Sequence, residues 1–256
     1  MHGFSVFLVK EMTEVRRTWR LYVIPGIMLF IGLMSPILAE VTPSLVSSMA
    51  SSEGQGIVIE IPPATTVDAY LQFSNNAMQI ALIALIITVA GAIAGERRSG
   101  TAQLVLTKPV SRTAMVVAKT LSNCLLMLVA TIVSAAICVG VTAVMFGTEL
   151  LAEFAAWVAL FYLLACLFVA LAVMLSVVLK SQAGAAGAGI AIYFALTILS
   201  LWDVLREYTP VGLLGAGDRI LTGATDVPVL WPVATGLLMI GVLVGLASWA
   251  FRRQEL

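Results

Sequence analysis

Six long apolar runs constrain this chain more than any other feature. They are Leu21–Ala39, Ala77–Ala94, Leu121–Phe146, Ala155–Leu179, Ala183–Trp202 and Leu230–Ala250. A helix needs roughly 20 residues to cross about 30 Å of hydrocarbon, and each run meets that length. The runs are continuous rather than alternating, which favours helices over a barrel. In hydrocarbon only those two architectures satisfy every backbone N–H and C=O. Composition agrees: 61% of the 256 residues are hydrophobic and only 11% are charged. A soluble domain of this size has too much surface to hide that apolar content. The expected fold is therefore an all-α integral membrane protein with six transmembrane helices, read as one unit over residues 1–256.

Formal net charge is zero, so nothing favours nucleic acid as a partner. The three cysteines, Cys124, Cys138 and Cys166, all fall in apolar runs and read as small packing residues. No cleavage site follows the first residues, which carry six charges before the first run, so that run is expected to stay as an anchor.

Lysine and arginine fix the expected orientation. Placing both termini, the 95–120 loop and Lys180 on one side gathers twelve of the fourteen basic residues there; only Arg206 and Arg219 lie opposite. The positive-inside rule makes the basic side cytoplasmic, giving a multi-pass protein of the cytoplasmic membrane with both termini inside. Ten of the fourteen acidic residues fall on the other side, in agreement.

Residues 1–20 form a separate element. Phe4, Leu8, Met12, Val15 and Trp19 recur at helical spacing, with Lys10, Glu14 and Arg17 off the stripe. Such a helix lies flat in the membrane interface against lipid. Pro25 offers a place to bend into the first span. Two outer segments remain. In 41–76, a β-prone run (Ile57–Ile61) precedes Pro62-Pro63, and a helix capped by Thr66 is expected to run on into the second span. In 203–229, the patches VGLL and DRILTG read as short helical pieces near the membrane surface.

The longest basic-side loop, Gly95–Thr120, holds five basic residues and Glu96. Its TAQLVLT piece (Thr101–Thr107) is a short two-faced segment between Gly100 and Lys108-Pro109, and Ser111 can cap the next helix. A stiff piece held between two spans suits transmission of a push from a soluble partner; an ordinary topology-setting loop is the plainer reading. The pattern G-E-x-x-x-G-T-x-x-L-x-L-T-K-P-V-S-R, closed by Lys119, resembles the loop of ABC-2 type transporter permeases. The flat first helix resembles that family's elbow helix, and six spans with both ends inside match it. Within the family the chain is similar to short permeases encoded apart from their ATPase, a group with a branch serving nitrous oxide reductase maturation.

The resemblance implies an ABC-2 (type V exporter-like) fold and a permease subunit of an ATP-binding cassette transporter, with export as the expected direction. It implies two partners, separate ATPase subunits and a second permease chain in a homo- or heterodimer. It also assigns ATPase coupling to Glu96, Gly100, Thr101, Leu104, Leu106, Lys108, Pro109 and Arg112. A pairing of Glu96 with Arg97, Arg98 or Arg112 would hold the loop.

No G-x-x-x-x-G-K-[ST] phosphate loop occurs in the sequence, so no cofactor is expected on this chain; ATP and Mg would bind the partner ATPase. His2 is the sole histidine, which argues against a histidine base or metal site, and no catalytic role is assigned. The acidic pairs Glu149/Glu153 and Asp203/Glu207 read as solvated faces. The span centres hold almost no ionisable groups, which weighs against proton-coupled transport. Ser35, Thr88, Thr131, Ser134, Thr142, Tyr162, Ser176, Tyr193 and Thr197 are candidate pathway-lining groups, although residues of this kind are more often satisfied core. Small residues at Gly184, Gly187, Ala188 and Ala191 suggest close helix packing, within the chain or at a dimer interface. The alternative from another class is a membrane scaffold or sensor that transports nothing.

Overall fold

The computed structural model describes residues 2–52, 62–98, 111–179 and 181–253. Helix α1 (His2–Arg17) is followed by α2 (Arg20–Ser52), and α3 (Thr66–Asn76) passes through a π turn (Ala77–Ala81) into α4 (Leu82–Arg98). Then come α5 (Arg112–Met145), α6 (Leu151–Val178) and α7 (Gln182–Leu199). Helix α8 (Asp203–Tyr208), a 3-10 turn (Pro210–Gly212), α9 (Leu213–Leu221) and α10 (Leu230–Arg252) complete the chain. No strand occurs among the described residues. Six of these segments are long and apolar enough to cross a membrane: Leu21–Ser48, Thr66–Gly95, Arg112–Met145, Leu151–Val178, Gln182–Leu199 and Leu230–Arg252.

Segments Thr66–Gly95 and Leu151–Val178 are the bundle's centre, with 67% and 61% of their apolar windows buried, while Gln182–Leu199 is outermost at 17%. Helices α4, α9 and α10 all pack on α6, and α2 runs along α5. Aromatic rings lock α3 to α6. Tyr70 stacks on Phe154 at 4.1 Å between centroids, Phe73 meets Trp157 edge-on at 5.5 Å, and Trp157 stacks on Phe161 at 5.0 Å. Each such pair adds about 0.5–1.5 kcal/mol beyond the burial of its area.

Several expectations are corrected. The first span does not stop near Ala39, because α2 continues to Ser52. Its polar residues bond back within the helix, Thr42 to the Leu38 carbonyl at 2.6 Å and Ser48 to that of Leu45 at 2.8 Å. The bend from α1 into α2 falls at Thr18–Trp19 rather than at Pro25, which lies inside α2. The cap of α3 is Thr65, not Thr66: the Asp68 carboxylate accepts from the Thr65 N–H at 2.8 Å and from its hydroxyl at 2.6 Å. The patches VGLL and DRILTG are helical as expected: Val211 and Gly212 fall in the 3-10 turn, and α9 takes in Leu213, Leu214 and Asp218–Leu221. The run Ile57–Ile61 lies outside the described residues.

The small-residue stripe of α7 is corrected only in its reading as packing within the chain. Its packed face is Ala185, Ala186, Gly189 and Tyr193, whereas Gly184, Gly187 and Ala191 are exposed and Ala188 is half-buried. A Cβ on Gly189 would meet Ile86 Cγ2 at 2.6 Å, so α4 and α7 approach as closely as they do because that residue is glycine.

Candidate functional site

Among the described residues, one cluster of charged and polar side chains stands at each end of the bundle. At the end that carries both termini, the start of α5 is the meeting point. The Ser111 hydroxyl accepts from the Ala114 N–H at 3.1 Å and caps that helix. Arg112 then reaches α10, donating from Nη1 to the carbonyls of Phe251 at 3.0 Å and Arg252 at 3.1 Å, with its guanidinium 6.0 Å over the Phe251 ring. Those are carbonyls of the last helical turn, which have no partner inside α10, and a cation is favoured there. Arg252 returns the contact, donating to Thr113 Oγ1 from Nε at 3.0 Å and Nη2 at 2.7 Å.

Two turns further along α5, Lys119 is 1% exposed. Its ammonium donates to Glu11 Oε2 at 3.0 Å, and Glu11, on α1, is 3% exposed. Lys10 takes the other Glu11 oxygen at 3.1 Å and Glu14 at 2.8 Å. The Lys119 carbonyl accepts from Asn123 at 2.7 Å and Ser122 at 3.1 Å. Residues 111–119 thus hold the interfacial helix α1 on one side and the end of α10 on the other. At the end of α4, the N–H groups of Ile93 and Ala94 donate to Ser176 Oγ of α6 at 3.0 and 2.9 Å. That serine ties the last buried turn before the 95–110 segment to the bundle's centre.

Of the residues expected to couple to an ATPase, Arg112 is placed within this collar. Gly100, Thr101, Leu104, Leu106, Lys108 and Pro109 lie outside the described residues, as does the side chain of Glu96. Sequence reasoning missed Glu11. The signal was present, because Glu11 is the acid that falls inside the apolar stripe, one residue before Met12 and three after Leu8. It also read Lys119 as part of a loop motif, although that lysine follows a helical, largely apolar stretch.

At the opposite end, Asp218 of α9 faces α3 and α6. Its Oδ1 accepts from the Ser74 hydroxyl and from Trp157 Nε1 at 3.0 Å, and that indole N–H lies 2.9 Å from Ser74 Oγ. Burial pushes the Asp218 carboxyl above its usual range, opposed by the hydrogen bonds from Ser74 and Trp157. A Cβ on Gly217 would stand 2.4 Å from Trp157 Cδ1, so only glycine lets α9 lie flat on the indole.

Most candidate lining groups are satisfied core residues. Thr88 bonds back to Ala84, Ser134 to the Met28 carbonyl, and Ser35 accepts from Asn76 at 3.1 Å. Thr142 meets Cys138 at 4.0 Å, and Tyr162 donates to the Cys124 carbonyl at 3.4 Å. Thr131 Oγ1 is buried without a partner. Tyr193 and Thr197 do line a cavity, of about 570 Å³, beside the π turn.

A family model described as ABC-2 family transporter protein matches residues 6–205. The chain belongs to the ABC-2 transporter family. It is also 24% identical over 258 residues to the uncharacterized transmembrane protein YxlG of Bacillus subtilis (strain 168), an alignment covering 100% of this chain and 99% of that protein. For an ABC-2 family member, the six apolar helices make this a multi-pass membrane protein, and the family match takes in α1, the 95–110 segment and the start of α5 together.

Proposed function

We propose that this chain is the membrane-spanning permease subunit of an ATP-binding cassette exporter, driven by a separate ATPase that docks on the basic, cytoplasmic end. The observation that carries this reading is that the 95–110 segment leaves α4 just after the turn held by Ser176 of α6 and enters α5 where that helix holds both α1 and the end of α10. A push there acts on α4 through the turn held by Ser176. It acts on α5 through residues 111–119, which drag α1 by Glu11 and α10 by its terminal carbonyls. A local displacement of the docking segment thereby becomes a movement of several spans. The residues proposed for ATPase coupling are Glu96, Gly100, Thr101, Leu104, Leu106, Lys108 and Pro109, which receive the ATPase, and Arg112, which stands in the linkage behind them. A second copy of this chain, or a homologous permease, completes the pathway, and ATP and Mg bind on the ATPase.

The test is co-purification in mild detergent with a co-expressed ATP-binding cassette ATPase, one encoded beside this chain being the first choice where the neighbouring coding sequence supplies it, comparing wild type with Leu104→Asp. A complex that hydrolyses ATP, lost in the variant while membrane insertion is retained, supports the reading. Purification of the wild-type chain alone, with the ATPase folded and abundant, overturns it in favour of a scaffold or sensor.

A further inference from the structure

The cavity of about 570 Å³ at the end opposite the termini has a composition that the coupling reading leaves unused. Three elements build it: the π turn with its flanks, the last two turns of α7, and α9 with Arg206 of α8 beside it. Part of its lining is apolar, with Met78, Ile83, Phe194 and Leu201, and Phe194 and Leu201 are 53% and 79% exposed. The rest is polar, with Asn75, Gln79, Arg206 and Arg219 among the lining residues.

Three observations specify what this space is built to receive. First, Gln79 sits within the span Thr66–Gly95 and is exposed, yet neither its amide nor that of Asn75 has a hydrogen-bond partner among the described residues. An unpaired amide at membrane depth is costly, so a bound polar group that satisfies it gains correspondingly. Second, Arg219 makes no ion pair among the described residues, and its guanidinium reaches only the Asp226 carbonyl, at 3.5 Å. Arg206 is paired with Asp203 through one nitrogen at 2.5 Å. A guanidinium presents five N–H donors in a fork suited to phosphate or carboxylate, so both arginines keep donors to spare, although on their other side they share a recess with Asp203, Glu207 and Asp226. Third, the hydroxyl of Tyr193 donates to the Met78 carbonyl at 3.0 Å, in the π turn, and those of Thr197 and Ser200 donate to carbonyls of α7. The walls are thus held in shape by their own bonds, while the guanidinium and amide donors face the space. The one carboxylate in the lining, Asp218, is engaged by Ser74 and Trp157 on its inner side.

Arg206 and Arg219 belong to α8 and α9, outside the six spans, whereas Met78, Ile83 and Phe194 lie within them. We propose that this cavity binds a membrane amphiphile with an anionic headgroup, the head held by Arg219 with the Asn75 and Gln79 amides and the apolar chain lying against Met78, Ile83 and Phe194. The site is independent of the ATPase, so its failure and that of the permease reading are separable.

The test titrates the full chain in detergent, after delipidation, with dioleoyl phosphatidylglycerol, dioleoyl phosphatidylcholine or glycerol 3-phosphate, reading bound adducts by native mass spectrometry. Wild type is expected to retain phosphatidylglycerol in preference to phosphatidylcholine and to bind no glycerol 3-phosphate. Arg219→Gln is expected to weaken phosphatidylglycerol about tenfold, the scale of a lost charge-assisted hydrogen bond, and Arg219→Lys to restore part of it. Arg253→Gln, at the other end of the bundle, controls for general surface charge, and unchanged melting temperatures establish that the variants fold. Equal retention of phosphatidylglycerol by wild type and Arg219→Gln, or equal loss in Arg253→Gln, overturns the site as mere lipid adhesion. Tight binding of glycerol 3-phosphate overturns the amphiphile in favour of a soluble anion.

Discussion

The ammonium of Lys119 lies 3.0 Å from the carboxylate of Glu11, joining residues 108 positions apart at a point where both side chains are at most 4% exposed. A buried pair is worth little against a well-packed apolar replacement, yet removal of one member leaves an uncompensated charge. Lys119→Met leaves Glu11 held, among the described residues, by Lys10 alone, at 3.1 Å, and is therefore expected to destabilise the detergent-solubilised protein by about 1.5–3 kcal/mol, the scale of a hydrogen bond to a charged group. The double variant Glu11→Leu with Lys119→Met should recover much of that loss. Thermal melts of the wild type, both single variants and the double variant form the cycle that checks it. Additive losses would mean that the pair does not hold α1 to α5.

Asp218 gives a pH dependence whose sign follows from its burial. Its carboxyl is held above the usual value of 3.8, with burial the largest cause. The folded chain keeps this proton over a range where the unfolded chain has released it. The contribution to stability is fully present below the unfolded pKa and is lost as pH rises through the folded one. Asp218→Asn retains an oxygen for Trp157 and Ser74 and cannot ionise. Its melting temperature should fall less steeply with rising pH than that of wild type, and parallel profiles would remove the explanation.

The spans were legible because hydrocarbon imposes one length and one polarity on every crossing segment, and residues such as Leu121–Phe146 satisfy both without help from neighbours. The extension of α2 was not legible. Thr42, Ser44, Ser47 and Ser48 look like loop residues in a linear reading, and only in the helix do their hydroxyls find carbonyls three or four positions back. The collar was half legible. Ser111 carries its capping signal locally, and its hydroxyl does cap α5, whereas Glu11 and Lys119 acquire meaning only when α1 is laid against α5. The cavity beside the π turn was least legible, since Gln79, Arg206 and Arg219 come from three separate elements.

The two faces of α7 make a contrast that packing alone decides. Gly189 faces Ile86 at 2.6 Å from a hypothetical Cβ, whereas nothing lies within 4 Å of one on Gly187. Gly189→Val must push α4 and α7 apart and is expected to destabilise by about 1–3 kcal/mol, as overpacked cores do. Gly187→Val should leave the melting temperature of the isolated chain nearly unchanged. Equal losses at the two positions would contradict the assignment of faces.

Arg112 and Arg252 link the same two helix ends from opposite sides, so their variants should not be additive. Arg112→Leu removes the donors to the Phe251 and Arg252 carbonyls, and Arg252→Leu removes those to Thr113. Either change frees the end of α10, and the second then has less left to break. Hydrogen exchange at residues 248–253 is expected to rise in each single variant and to rise little further in the double. If the collar transmits motion, Arg112→Leu should also leave ATPase association intact while reducing transport per ATP hydrolysed, because docking and transmission use different groups. Loss of association itself would place Arg112 in the docking surface rather than in the linkage behind it.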